Sequence, residues 1–93
     1  GGAGSYVIFE NEHAEVWQND LNQGESSDWH THENQYLFVG ASHGDLQVEH
    51  DDGAKQNTMM ELGKVVMGQK GSTHQLSNIG TSPYSSVIIE IKK

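Results

Sequence analysis

The sequence predicts an all-β fold, a small barrel or compact sandwich, and three observations lead there. Apolar residues recur at period two or in short bursts, with no long amphipathic helix among them. Glycine and aspartate, rather than helix-capping patterns, punctuate the chain. Short strands at a spacing of roughly 8–12 residues, in a chain too short for two well-filled sheets and a helix layer, suit a barrel or sandwich.

Taken in order, the expected strands are Tyr6–Glu10, Ala14–Asp20, Ser27–Thr31, Gln35–Val39, Asp45–His50, Thr58–Leu62, Val65–Met67, Thr73–Asn78 and Ser85–Lys92. Asp51-Asp52-Gly53 forms a hairpin tip, since glycine accepts the positive φ of such turns. Gly80-Thr81-Ser82-Pro83 forms a second turn, where Pro83 cannot donate to a ladder. In the last strand Val87, Ile89 and Ile91 share one face and Ile88 and Glu90 the other, the alternation of a core strand with one buried side. Met59, Met60 and Met67 read as core fillers. Gly1 to Ser5, reading GGAGS, has the character of a cloning scar, which leaves residues 6–93 as one domain.

A chain of 93 residues has a thin core, burying only about 60–65% of the surface its unfolded form exposes. There is no cysteine, so neither a disulfide framework nor a thiolate site is available, and stabilisation must come from a metal, an oligomer contact or a closed barrel. A reducing cytoplasm is the compatible setting. Thirteen acidic residues against five basic ones give a net charge of −8, with no basic cluster beyond Lys92 and Lys93. Nucleic acid and membrane are therefore excluded as expected partners, because phosphate binding needs clustered cations and no apolar run approaches the ~20 residues of a membrane helix.

Six histidines are many for this length. His30 and His32 flank Thr31, and residues two apart on a strand point to the same face, so both imidazoles can converge on one ion. Alone, such a pair is weak. It is preceded by Gly24, giving G-x5-H-x-H, and a second block, Gly63, Gly71, His74 and Asn78, reads G-x7-G-x2-H-x3-N. Composition alone would produce that second block in about one chain in two hundred.

These residues resemble the two motifs of the cupin superfamily, G-x5-H-x-H-x3,4-E-x6-G and G-x5-P-x-G-x2-H-x3-N. The second is matched at Gly63, Gly71, His74 and Asn78, with Gln69 in place of the proline; the first is matched at Gly24, His30 and His32, with Gly44 as its closing glycine at the longer spacing. The motif glutamate is absent: its place falls on Tyr36 or Leu37, and Gln35 and Glu33 are the nearest polar residues. The stretch from Val7 through Trp17 to His32 is also similar to small cupins named for β-alanine degradation. The resemblance implies a small conical antiparallel β-barrel of the jelly-roll type. In it His30, His32 and His74 hold one divalent metal, and water or substrate takes the remaining positions.

Without the glutamate, three neutral imidazoles leave the ion its full double charge, which favours zinc, iron, nickel or copper over magnesium and calcium. Asn78 is expected to be a turn residue or a hydrogen-bonding group behind the ligands. Tyr36 and His43 are the candidate catalytic groups, although an aromatic such as Tyr36 in a strand more often serves core packing. His13 and His50 are expected at the surface, His50 because it precedes the hairpin tip. Trp29 faces away from His30, toward the exterior or a homodimer contact. The expected function is that of a metal-dependent enzyme acting on a small polar metabolite. The alternatives are a small-ligand binding or sensing module and a structural barrel with a degenerate site. Acid is expected to release the metal below roughly pH 6, where free imidazoles protonate.

Overall fold

The computed structural model describes residues 4–92, and among them it contains nine strands and no helix. They are β1 (Tyr6–Glu10), β2 (Ala14–Leu21), β3 (His30–Thr31), β4 (Tyr36–Gly40), β5 (Gly44–His50), β6 (Lys55–Met60), β7 (Val65–Gly68), β8 (Thr73–Asn78) and β9 (Tyr84–Ile91). Every expected strand is present, and two differ from expectation for identifiable reasons. The third is short because the Ser27 hydroxyl, rather than a carbonyl, accepts the Leu76 N–H at 3.0 Å, which interrupts the ladder. The sixth starts earlier because the tip at Asp51-Asp52-Gly53 is tight: Gly53 N–H donates to His50 O at 3.0 Å, and Glu49 then pairs directly with Lys55. Of the scar-like pentapeptide, Gly1, Gly2 and Ala3 lie outside the described residues, while Ser5 N–H donates to Gln18 O at 2.8 Å and so continues β1.

All pairings are antiparallel. They form a five-stranded sheet of order β1-β2-β9-β4-β7 and a four-stranded sheet of order β3-β8-β5-β6. No ladder joins the two sheets among the described residues, so the conical barrel of the sequence reading is an open two-sheet jelly roll. Leu21 and Tyr84 from one sheet and Leu46, Met60 and Leu76 from the other form the core, which occupies one end of the space between the sheets.

Strand β9 turns the opposite way from its apolar pattern. Tyr84, Ser86, Ile88 and Glu90 are buried between the sheets, whereas Val87 and Ile89 are half-buried and Ile91 is exposed on the outer face. The reason is lateral: Ile89 lies beside Val16 and Leu37 in the register, so the outer face is apolar through cross-strand contact with its neighbours. Ser86 and Glu90 are tolerated inside because polar partners await them; Asn19 Nδ2 donates to Ser86 Oγ at 3.1 Å. Of the three methionines only Met60 is fully buried, and Met59 and Met67 are exposed. No helix among the described residues is long and apolar enough to cross a membrane.

Candidate metal centre

The register of the four-stranded sheet brings the motif histidines together. His30 on β3 is the direct cross-strand partner of His74 on β8, and His74 is in turn the partner of His50 on β5. The motif glycines hold the backbone that does this. Gly24, Gly63 and Gly71 have φ between 77° and 90°, and the Gly71 N–H donates to His32 O at 2.8 Å while the His32 N–H donates to Ser72 O at 3.0 Å. The second motif thereby clamps the second histidine of the first.

One ring nitrogen from each of His30, His32 and His74 lies within 4.8 Å of the other two. The Nε2 atoms of His32 and His74 are 3.2 Å apart. Two metal–nitrogen bonds of ~2.1 Å at a tetrahedral or right angle set their nitrogens about 3.0–3.4 Å apart, so the closest pair already has ligand spacing and the widest needs a closure of about 1.5 Å, within reach of side-chain rotation.

The hydrogen-bond partners support the same reading. His30 Nδ1 lies 2.9 Å from Asp28 O, and since a carbonyl only accepts, Nδ1 carries the hydrogen and Nε2 the lone pair. His32 Nδ1 lies 2.8 Å from Glu90 Oε1, with both side chains buried. An ionised Glu90 places the hydrogen on Nδ1 and turns the Nε2 lone pair toward His74, an arrangement that a cation between the rings would satisfy.

Burial sets the charge states. Desolvation, then the His30 and His74 charges, pushes His32 down to about 3; desolvation, then the His30 and His50 charges, pushes His74 down to about 4. Desolvation also lowers His30, against a weaker raising effect of the Asp28 carbonyl. All three are neutral, ligand-ready imidazoles at physiological pH. Glu90 is pushed up to about 7, by burial first and then by the charges of Glu15 and Glu33, and its Oε2 is buried without a hydrogen-bond partner. Burial thus disfavours the imidazolium–carboxylate form of the His32–Glu90 pair, and the carboxyl titrates instead.

Tyr36 and His43 have different fates. The Tyr36 ring stacks on His32 with centroids 3.6 Å apart and planes 18° from parallel, and burial raises its phenol, so it stays protonated. Gly68 makes that position possible: a Cβ there would run into the Tyr36 ring. His43 does not reach the pocket. It is exposed on the β4–β5 loop, where Nδ1 lies 2.8 Å from Glu61 Oε1, a pairing that raises its pKa. A surface carboxylate, rather than a ligand, is its partner.

Asn78 is 1% exposed and supports the fold. Its Nδ2 donates to Leu21 O and Ser82 O at 3.0 and 2.9 Å, and its Oδ1 accepts the Gly80 N–H at 3.0 Å. Trp29 is 44% exposed on the outside, and His13 lies in solvent beside Glu12.

Two residues escaped the sequence reading. Glu90 sat on what seemed a solvent face, and the visible signal was a lone carboxylate inside a run of β-branched residues. His50 was assigned to a solvated tip, yet it shares the inward face of β5 with Leu46 and Val48 and its ring centroid is 6.1 Å from that of His74. The i, i+2 spacing from Leu46 was the overlooked signal. The triad, His50 and Tyr36 line one end of a cavity of about 210 Å³ between the sheets, walled further in by Phe38, Val48, Leu76 and Ile88.

No family model and no curated protein matches the chain. Solved structures do. A cupin domain from Bordetella pertussis Tohama I is 25% identical over the whole of both chains, with a TM-score of 0.85. A conserved protein with a double-stranded β-helix domain from Klebsiella pneumoniae is 21% identical, covering 91% of this chain and 72% of its own, with a TM-score of 0.75. A cupin family protein with a double-stranded β-helix fold from Methanocaldococcus jannaschii is 14% identical over 99% of this chain and 94% of its own, with a TM-score of 0.74. This chain therefore has the double-stranded β-helix of the cupin fold, with a histidine triad able to hold a metal at one end of the space between its sheets.

Proposed function

We propose that this chain is a metal-dependent cupin enzyme that binds one divalent transition metal through His30, His32 and His74 and acts on a small molecule at the coordination positions the protein leaves open. The convergence of three neutral ring nitrogens within 4.8 Å, two of them with the opposite nitrogen already engaged, carries this reading. Only nitrogen donors form the cluster, which suits zinc, iron, nickel or copper. When bound, such an ion would supply Lewis acidity toward ligand oxygen atoms.

The chain's own residues have definite parts. Glu90 and the Asp28 carbonyl orient two imidazoles, Tyr36 covers one face of His32 and offers a phenol hydrogen, and the apolar walls exclude water. With its phenol held protonated, Tyr36 acts as a donor rather than a base. That observation keeps a second reading open, a binding or sensing module without turnover. The narrower resemblance to β-alanine degradation cupins supplies no residue to either.

Elemental analysis of protein purified without a histidine tag tests the proposal. About one equivalent of metal per chain is expected in wild type and in His43→Ala, and none in His74→Ala; absence from the wild type refutes it. Oxygen uptake and product analysis over a panel of small acids then separates turnover from binding.

A further inference from the structure

The cavity beside the triad has a composition that neither the motifs nor the fold dictates. Much of its wall is apolar, with Phe38 and Ile88 from one sheet and Val48 and Leu76 from the other. No lysine and no carboxylate lines it among the described residues. A phosphorylated ligand would find no side-chain cation in this lining. Asn19, Ser27, Gln56 and Thr58 are its other polar lining residues, and at the histidine end His50 extends the cross-strand row His30–His74 by one strand.

His50 lies outside the cluster of ligand-spaced nitrogens yet borders the same space. It is therefore placed to touch what the metal holds rather than the metal itself. Size narrows the ligand further. An apolar cavity of ~150 Å³ accepts benzene and one water occupies ~30 Å³ of liquid. A cavity of about 210 Å³ thus takes a six-membered ring or branched chain together with a head group of two or three heavy atoms.

From this we infer that the ligand is a small monocarboxylate with an aromatic or branched aliphatic body, its head directed to the triad and read by His50, and its body lying between Phe38, Ile88, Val48 and Leu76. The inference rests on the metal-site reading and narrows its small molecule to one polar at one end only, in place of the small polar metabolite expected from the sequence. His50 is a positioning and specificity residue here, not a metal ligand.

The experiment uses the full chain loaded with cobalt(II), with metal content measured first and the cobalt absorption bands reporting on the coordination sphere. Benzoate, 3-methylbutanoate, acetate and inorganic phosphate are titrated separately, by calorimetry and by absorption. Benzoate and 3-methylbutanoate are expected to perturb the bands and to bind on the order of tenfold or more tighter than acetate, through burial of the body, with phosphate no tighter than acetate. His50→Gln should weaken benzoate about tenfold with cobalt stoichiometry unchanged, the loss of one hydrogen bond to a charged group. Val48→Phe should fill the cavity and abolish the benzoate preference while acetate still binds; if that variant fails to fold, the wild-type series and His50→Gln decide alone. Full cobalt loading with benzoate no tighter than acetate overturns the ligand class and leaves the metal site standing. A His50→Gln protein that binds benzoate like wild type overturns the role of His50. Failure of the wild type to bind cobalt overturns the functional reading and this inference together.

Discussion

Replacing Glu90 with glutamine should, at pH 8, move metal affinity and fold stability in opposite directions. Glutamine keeps an acceptor near His32 Nδ1 but removes the charge from a 2.8 Å contact between buried groups. Partners of this kind are worth about 10–100-fold in metal affinity, roughly 1.4–2.7 kcal/mol. For the fold the sign reverses. The Glu90 carboxyl has its pKa raised from 4.5 to about 7, so its contribution to stability is fully present below its unfolded value and is lost as pH rises through 7. At pH 8, ionising it inside the protein costs on the order of 3 kcal/mol, at about 1.4 kcal/mol per pH unit. Glutamine avoids that cost, but its amide replaces an Oε2 that has no partner, which returns about 1–3 kcal/mol. The metal-free variant should therefore match or exceed the wild type by up to about 2 kcal/mol at pH 8, and fall below it by up to about 2 kcal/mol at pH 5, where little ionisation cost is left to avoid and the amide's cost remains. Thermal denaturation with a chelator present at both pH values measures the stability change, and competition with a chromophoric chelator measures the loss of metal affinity. A metal affinity within about threefold of wild type, or a stability gain larger at pH 5 than at pH 8, would refute the assignment of Glu90 to His32.

Other outcomes follow from the same geometry. Because burial lowers all three histidines, two of them to about 3 and 4, their protonation competes with metal well below the pH expected of free imidazoles. Metal should remain stoichiometric in dialysis at pH 6 and be lost near pH 4, and loss already at pH 6 counts against the burial argument. The depressed values have a second consequence. The metal-free fold loses stability as pH falls from about 6.5 toward 4, because the unfolded chain takes up protons that the native site refuses. Gly68→Ala should drive the Tyr36 ring off His32 and destabilise the fold by about 1–3 kcal/mol, read as a lower melting temperature, while an unchanged melting temperature would show that the ring has room. Strand β1 is a sheet edge whose Tyr6, Val7, Ile8 and Phe9 are 43–55% exposed, and we expect a second copy to cover it. Sedimentation at micromolar concentration should show a dimer, and a monomer alone would contradict this.

Local information in the sequence determined the all-β class, the nine strands, the glycine turns and which three histidines form the cluster. Those properties depend on period-two alternation, on which residues accept positive φ, and on spacings that place His30 and His32 on one face. The tertiary structure alone decided which face of each strand is inside. Val87, Ile89 and Ile91 look like the core by composition, but burial depends on which sheet lies opposite, and Asn19 and His32 make Ser86 and Glu90 the inward residues. Register decided the rest: pairing His50 with His74 carried a histidine from a hairpin tip into the cavity wall, while the Glu61 contact held His43 outside it. Contacts between residues far apart in the chain set both results, and no spacing within a single strand encodes them.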